Sequence, residues 1–160
     1  MADDALFDVE GFSRQLQGKG RLIGLDLGTK TIGVAVSDAL WTVASPLTTV
    51  RRKKFTVDAT ELISLIEEEN VAGIVLGWPV NMDGSEGPRC QATRAFARNF
   101  TQLHALPLLL WDERLSTVAA ERAMLEADLS RAKRAEKIDQ VAASIILQAA
   151  LDRLHQIASA

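Results

Sequence analysis

The spacing of apolar positions divides most of the chain into short runs and longer periodic stretches. Residues 22–27 and 32–36 are two apolar runs separated by Gly28, Thr29, Lys30 and Thr31. Runs of this kind joined by a few residues that include glycine predict a β-hairpin. A third run, 42–50, contains Pro46, which lacks the amide proton a central strand needs and so marks an edge strand or a bulge. Strands this close in sequence must pair antiparallel, because a parallel crossover needs a dozen or more residues. From Val57 the period becomes helical, ending near Asn70, and residues 71–77 form a continuous apolar run expected of a strand covered on both faces. The loop 78–88 leads into a helix through about His104, and 106–111 is a second buried strand. Ser116 or Thr117 can cap a helix to about Ala127, and a last helix spans about 135–157. The order βββαβαβαα predicts an α/β fold. Its mixed five-stranded sheet is antiparallel over the first three strands and parallel over the last two, with helices on both faces. Residues 1–20 show no clear period and are expected to be a flexible or lightly docked extension. Residues 21–160 are expected to form a single domain.

Against this apolar background three acidic positions stand out. Strand side chains alternate between faces, so Leu22, Gly24 and Asp26 oppose Ile23, Leu25 and Leu27. Asp26 thus sits inside a hydrophobic strand, where a carboxylate is costly unless paired, hydrogen-bonded or bound to a metal. The last helix is apolar almost all round, and Asp139 shares a stripe with Ala142, Ala143 and Ile146. Those alanines would let the helix approach the small face bearing Gly24, Asp26 and Ala35, bringing Asp139 near Asp26. The alternative is an acid that complements the macrodipole at a helix N-terminus. Asp112 and Glu113 end a parallel strand, where ligands of open α/β sheets gather, and only one of two adjacent residues can face the other acids. A surface pair with Arg114 or a loop cap is the plainer alternative for either acid. Together the three carboxylates make an oxygen cage suited to Mg²⁺ or Mn²⁺.

Composition narrows the partners. The 160 residues are 48% hydrophobic and 24% charged, which suits a compact core. No apolar run approaches the roughly 20 residues of a membrane span. An acidic N-terminus unlike a targeting segment and one cysteine, Cys90, point to a cytoplasmic protein without a disulfide. A net charge of −3 argues against indiscriminate polyanion binding. The cations are nonetheless clustered, in Arg51, Arg52, Lys53 and Lys54, and in Arg131, Lys133, Arg134 and Lys137. Such patches on an acidic body suit local grip on phosphates, although each alone could be a solvated loop. His104 and His155 are isolated and are expected on helix surfaces.

Four segments carry a resemblance. They run from Gly24 to Asp38 (GLDLGTKTIGVAVSD), from Asn81 to Pro88 (NMDGSEGP), from Asp112 to Thr117 (DERLST), and from Lys137 to Ala143 (KIDQVAA). In this order they resemble the motif set of the YqgF family, covering about residues 20–155. That family has the ribonuclease H-like fold and is provisionally described as a pre-16S rRNA nuclease and, by older analogy, a Holliday-junction resolvase. The resemblance implies a metal-dependent endonuclease with Asp26, Glu113 and Asp139 as catalytic metal ligands, Asp112 being the alternative to Glu113. It implies Mg²⁺ or Mn²⁺ as cofactor and nucleic acid as partner, either structured pre-rRNA or branched DNA, with the protein a monomer or homodimer. Lys30, Asn81, Ser85, Arg114 and Lys137, with Arg51, Arg52, Lys53 and Lys54, are the expected nucleic-acid contacts. Without the resemblance, 81–88 would be a plain turn. Trp78, where many relatives have leucine, is either a stacking surface for a base or a core filler, with the core reading ahead. The segment from Asp26 to Thr31 also resembles the first phosphate loop of the actin, chaperone and sugar-kinase group. A second lobe and a second phosphate loop, which ATP binding would require, are lacking. A non-catalytic RNA-binding module for ribosome assembly remains a further alternative.

Overall fold

The computed structural model describes residues 4–16, 20–128 and 131–159. Three strands, β1 (Arg21–Leu27), β2 (Thr31–Ser37) and β3 (Ala44–Arg51), precede helix α2 (Phe55–Glu68). Strand β4 (Val71–Trp78), helix α3 (Pro88–Leu103) and strand β5 (Leu108–Asp112) follow, then helices α4 (Val118–Asp128) and α5 (Arg131–Ser159). The sheet order is β3-β2-β1-β4-β5, with β1–β2 and β2–β3 antiparallel and β1–β4 and β4–β5 parallel. This is the topology expected from the apolar pattern. Both readings of Pro46 hold: β3 is an edge strand, and its register with β2 shifts where Ala35 meets Pro46.

The period-two pattern sends alternate residues to two separate cores. Ile23, Leu25, Ile74, Leu76, Leu108 and Leu110 pack beneath α2 and α3 with Leu62, Ile66, Phe96 and Phe100. Leu22, Ala35, Val75, Leu109 and Trp111 pack beneath α5 with Ala142, Ala143, Ile146, Leu147 and Leu151. α5 alone covers most of that second layer, lying across β1, β2, β3 and β4. Its Gln148 also ties it to the sheet margin, accepting from the Ala44 amide and donating to the Thr42 carbonyl. Trp78 is buried in the first core, edge-on to Phe7 and beneath the Arg94 guanidinium, so it fills the interior instead of offering a stacking face.

Residues 4–16, within the segment expected as an extension, form a 3-10 turn (Asp4–Phe7) and helix α1 (Val9–Leu16). Phe12 and Leu16 are buried in the α5-side core, and Phe7 packs on Trp78. Eight residues are too few to be helical alone. Tertiary burial of Phe12 and Leu16 supplies the stability that local pattern does not. We expect Phe12→Ala to destabilise the fold by about 3 kcal/mol in urea titrations; an unmoved midpoint would show that α1 is not part of the core.

Candidate active site

Asp26 lies on the α5 side of β1, one residue before the strand ends, and its side chain is 3% exposed. Its partner in register on β2 is Gly33. A Cβ at Gly33 would come within 1.9 Å of the Asp139 carbonyl oxygen, so the missing side chain lets α5 press its backbone onto β2 beside Asp26. Asp139 therefore lands next to Asp26, as the alanine stripe implies, and the Thr31 hydroxyl donates to Asp139 Oδ2.

Parity separates the two acids at the end of β5. Leu109 and Trp111 face α5, so Glu113 continues on that side. A Cβ on Gly77 would meet Glu113 Oε2 at 2.8 Å, so glycine here makes room for the carboxylate against β4. Asp112 points the other way. It accepts from the Arg114 amide and pairs with its guanidinium at 2.7 Å, which holds the Asp112 carboxyl below its ordinary range.

A residue absent from the motif pattern connects the first two acids. Arg122 of α4 places Nη2 2.6 Å from Asp26 Oδ1 and Nη1 3.3 Å from Glu113 Oε1. No group of three histidine, cysteine, aspartate or glutamate side chains among the described residues is close enough to hold a metal ion. The three-acid cage expected from sequence is thus not closed in this conformation, in which a guanidinium bridges Asp26 and Glu113. The donor chemistry still suits a hard divalent cation: the groups are oxygen-only, and two already share one cation. Burial, reinforced by the Asp26 charge, pushes Glu113 above the usual glutamate range despite Arg122 and Arg89. Asp139 is raised in the same way, burial leading, with the Thr31 hydrogen bond opposing it and Asp26 adding to it.

Asp26 and Asp139 open into a cleft of about 370 Å³ lined also by Lys30, Thr31, Arg89 and Arg122, among others, while Glu113 sits behind Arg122. The expected nucleic-acid contacts collect at the same end of the sheet. Lys30 is exposed on the β1–β2 loop, and Thr31 pairs with Arg51 at the end of β3. Arg52 donates to the Gly28 carbonyl at 2.6 Å, while Lys53 and Lys54 are exposed before α2. Asn81 and Ser85 follow β4 in a turn closed upon itself: the Asn81 amide donates to Ser85 Oγ, and Asp83 accepts from Ser85. These bonds are those of the plain turn, while Asp83 faces Arg114 electrostatically. Lys137 is exposed on α5. Of the second cationic cluster, Arg131, Lys133 and Arg134 have side chains outside the described residues. Two cations of the cleft escaped the motif reading: Arg89, in the first turn of α3 with Nη2 donating to the Leu27 carbonyl, and Arg122.

A mixed β3-β2-β1-β4-β5 sheet with a buried acid near the end of its central strand, a second beyond β5 and a third on the covering helix defines a ribonuclease H-like architecture. A family model described as "RuvX: Holliday junction resolvase" matches residues 20–153, and the chain belongs to that family, the one its four motifs resemble. A relative from Rhodobacter capsulatus, provisionally named a pre-16S rRNA nuclease, is 62% identical over 95% of this chain and 96% of its own length. One of the same name from Paracoccus denitrificans is 65% identical over 92% and 93%. Among solved structures, Thermus thermophilus RuvC in complex with a Holliday junction shares the fold, with a TM-score of 0.51 at 12% identity over 84% of this chain and 96% of that one. No helix among the described residues is long and apolar enough to cross a membrane.

The raised Glu113 carboxyl has a consequence for stability. An acid that holds its proton more tightly when folded stabilises the fold fully below about pH 4, and that stability is lost as pH rises through the folded value. Glu113→Gln, which mimics the protonated form, is therefore expected to melt higher than wild type at pH 7 and equally at pH 3.5. Equal melting temperatures at pH 7 would show that Arg122 fully offsets the burial.

Proposed function

We propose that the protein is a divalent-metal-dependent endonuclease that hydrolyses phosphodiester bonds at the Asp26 cleft, with the 5′ end of pre-16S rRNA as its substrate. The observation that carries this reading is the convergence of Asp26, Glu113 and Asp139, distant in sequence, at the one sheet end where the cations also gather. The rRNA assignment rests on the names of relatives above 60% identity.

In this reading Asp26, Glu113 and Asp139 would hold Mg²⁺ or Mn²⁺. Such an ion lowers the pKa of bound water and offsets charge on the reacting phosphate oxygens. The chain supplies position and field. Asp26 is rigid because β1 is flanked on both sides, and Thr31 fixes the Asp139 rotamer through its hydroxyl. Burial weakens solvent screening, so charges in the cleft act on one another more strongly than they would in water. Lys30 and Arg89 border the cleft and would attract the phosphate backbone, with Arg51 to Lys54 extending that path past the end of β3. Localisation in the cytoplasm accords with this substrate.

A branched DNA substrate is the second reading, favoured by the description of the matching family model. Cleavage of a ribosomal precursor compared with a four-way DNA junction, in Mn²⁺, separates the two. Asp26→Asn should lower cleavage by about 10²–10³-fold, the scale of removing one preorganised electrostatic group, with RNA binding retained. Full activity of the purified variant would remove Asp26 from the mechanism. No cleavage by wild type over a range of metals and both substrates would favour a binding module for ribosome assembly. Replacing Arg51, Arg52, Lys53 and Lys54 with glutamine should weaken binding and flatten its salt dependence by about 0.7 in log–log slope per lost contact on single-stranded RNA. A slope equal to wild type would assign that run to solvation.

A further inference from the structure

We propose that Arg122 is the positioning residue of the acid pair: its guanidinium holds the cation position between Asp26 and Glu113, and a divalent ion binds by displacing it and loosening α4. This inference rests on the metal-dependent reading above, and the geometry adds to that reading a competition within the chain itself. The two η nitrogens reach different carboxylates, at 2.6 Å and 3.3 Å, so Arg122 stands in the position where a cation shared by both acids would sit. Asp26 is almost wholly buried and Glu113 nearly so, and neither has another ion pair among the described residues. Without a cation, two carboxylates this close would repel through a weakly screening interior. Arg122 holds both side chains in place in the metal-free protein.

The helix that carries Arg122 is built to let go. Val118 is the one buried side chain of α4 among its described residues, and Met124 is 66% exposed. Although α4 also lies against α5, one buried side chain and one bridging guanidinium are a light attachment compared with α5, whose Ala142, Ala143, Ile146, Leu147, Ala150 and Leu151 are all buried. A divalent ion interacts with each carboxylate about twice as strongly as a single charge at the same distance, so it can replace the guanidinium while holding the acids together. Arg122 already lines the open cleft, which gives the displaced side chain somewhere polar to go.

Two measurements on the purified full chain test this. Mn²⁺ titration followed by electron paramagnetic resonance of the free ion should show that Arg122→Gln tightens Mn²⁺ binding by about tenfold, the scale of one charged hydrogen-bonded pair. Arg122→Lys, which keeps the charge, should restore weaker binding. A merely structural role would move affinity the other way, because a damaged site binds less. Unchanged or weaker Mn²⁺ binding by Arg122→Gln, with wild type binding normally, overturns the proposal and leaves the metal-dependent reading standing. Absence of Mn²⁺ binding in both wild type and variants overturns both. Hydrogen exchange of wild type covers the case in which the variant does not fold: saturating Mn²⁺ should speed exchange in α4 while leaving β1 protected. Slower or unchanged α4 exchange on Mn²⁺ addition overturns the displacement.

Discussion

Everything at the active end of this protein depends on how closely a helix and a carboxylate can approach a β-sheet. Gly33 lies beside Asp26 on β2, and Gly77 occupies β4 on the opposite flank. Over Gly33 sits the backbone of Asp139; over Gly77 sits the carboxylate of Glu113. A methyl group at either position would demand space that these atoms occupy, so the spacing of the acids is set by the absence of side chains next to them. The same closeness excludes water and leaves Asp26 with a charge that something else must balance. Arg122 does so in this conformation.

The sheet order follows from the same requirement. With β1 central, its C-terminal end is flanked by the start of β2 on one side and the end of β4 on the other. β5 ends one strand further out, close enough for Glu113 to reach back across Gly77. β3 runs antiparallel to β2 and so delivers Arg51 and the cations after it to the same end. Negative charge is thereby concentrated in the buried centre and positive charge on the exposed margin. Such a distribution places the field that attracts a polyanion at the rim and the field that attracts a cation at the centre.

Much of this was legible in the chain. Asp26 declared itself by standing at an odd place in a strand whose other positions are apolar, and the alanines near Asp139 foretold the close approach of α5. The choice between Asp112 and Glu113 was harder, for a physical reason. Leu108, Leu109, Leu110 and Trp111 are all apolar because β5 is covered on both faces, so alternation fixes that the two acids diverge but not which face belongs to α5. Only docking of the helices decides. α1 was hidden because its amphipathic pattern lasts only eight residues, too few to be a helix without the burial of Phe12 and Leu16 that tertiary packing supplies.

Arg122 was the least legible of all, and its case shows where sequence reasoning stops. Nothing in its neighbours, Glu121 and Ala123, distinguishes it from an ordinary surface arginine on an amphipathic helix. Its role arises because α4, which follows the 3-10 turn Glu113–Leu115 after β5, packs where Arg122 meets the acids. The distance from Arg122 to Asp26 is 96 residues along the chain, so no local pattern could encode it. Buried acids predict that a counter-charge must exist; the topology alone says which cation supplies it. Under the metal-dependent reading proposed above, that counter-charge becomes the ion's competitor. The energy of metal binding in that reading is the difference between two cations at one place, so α4, which carries one of them, enters it along with the acids.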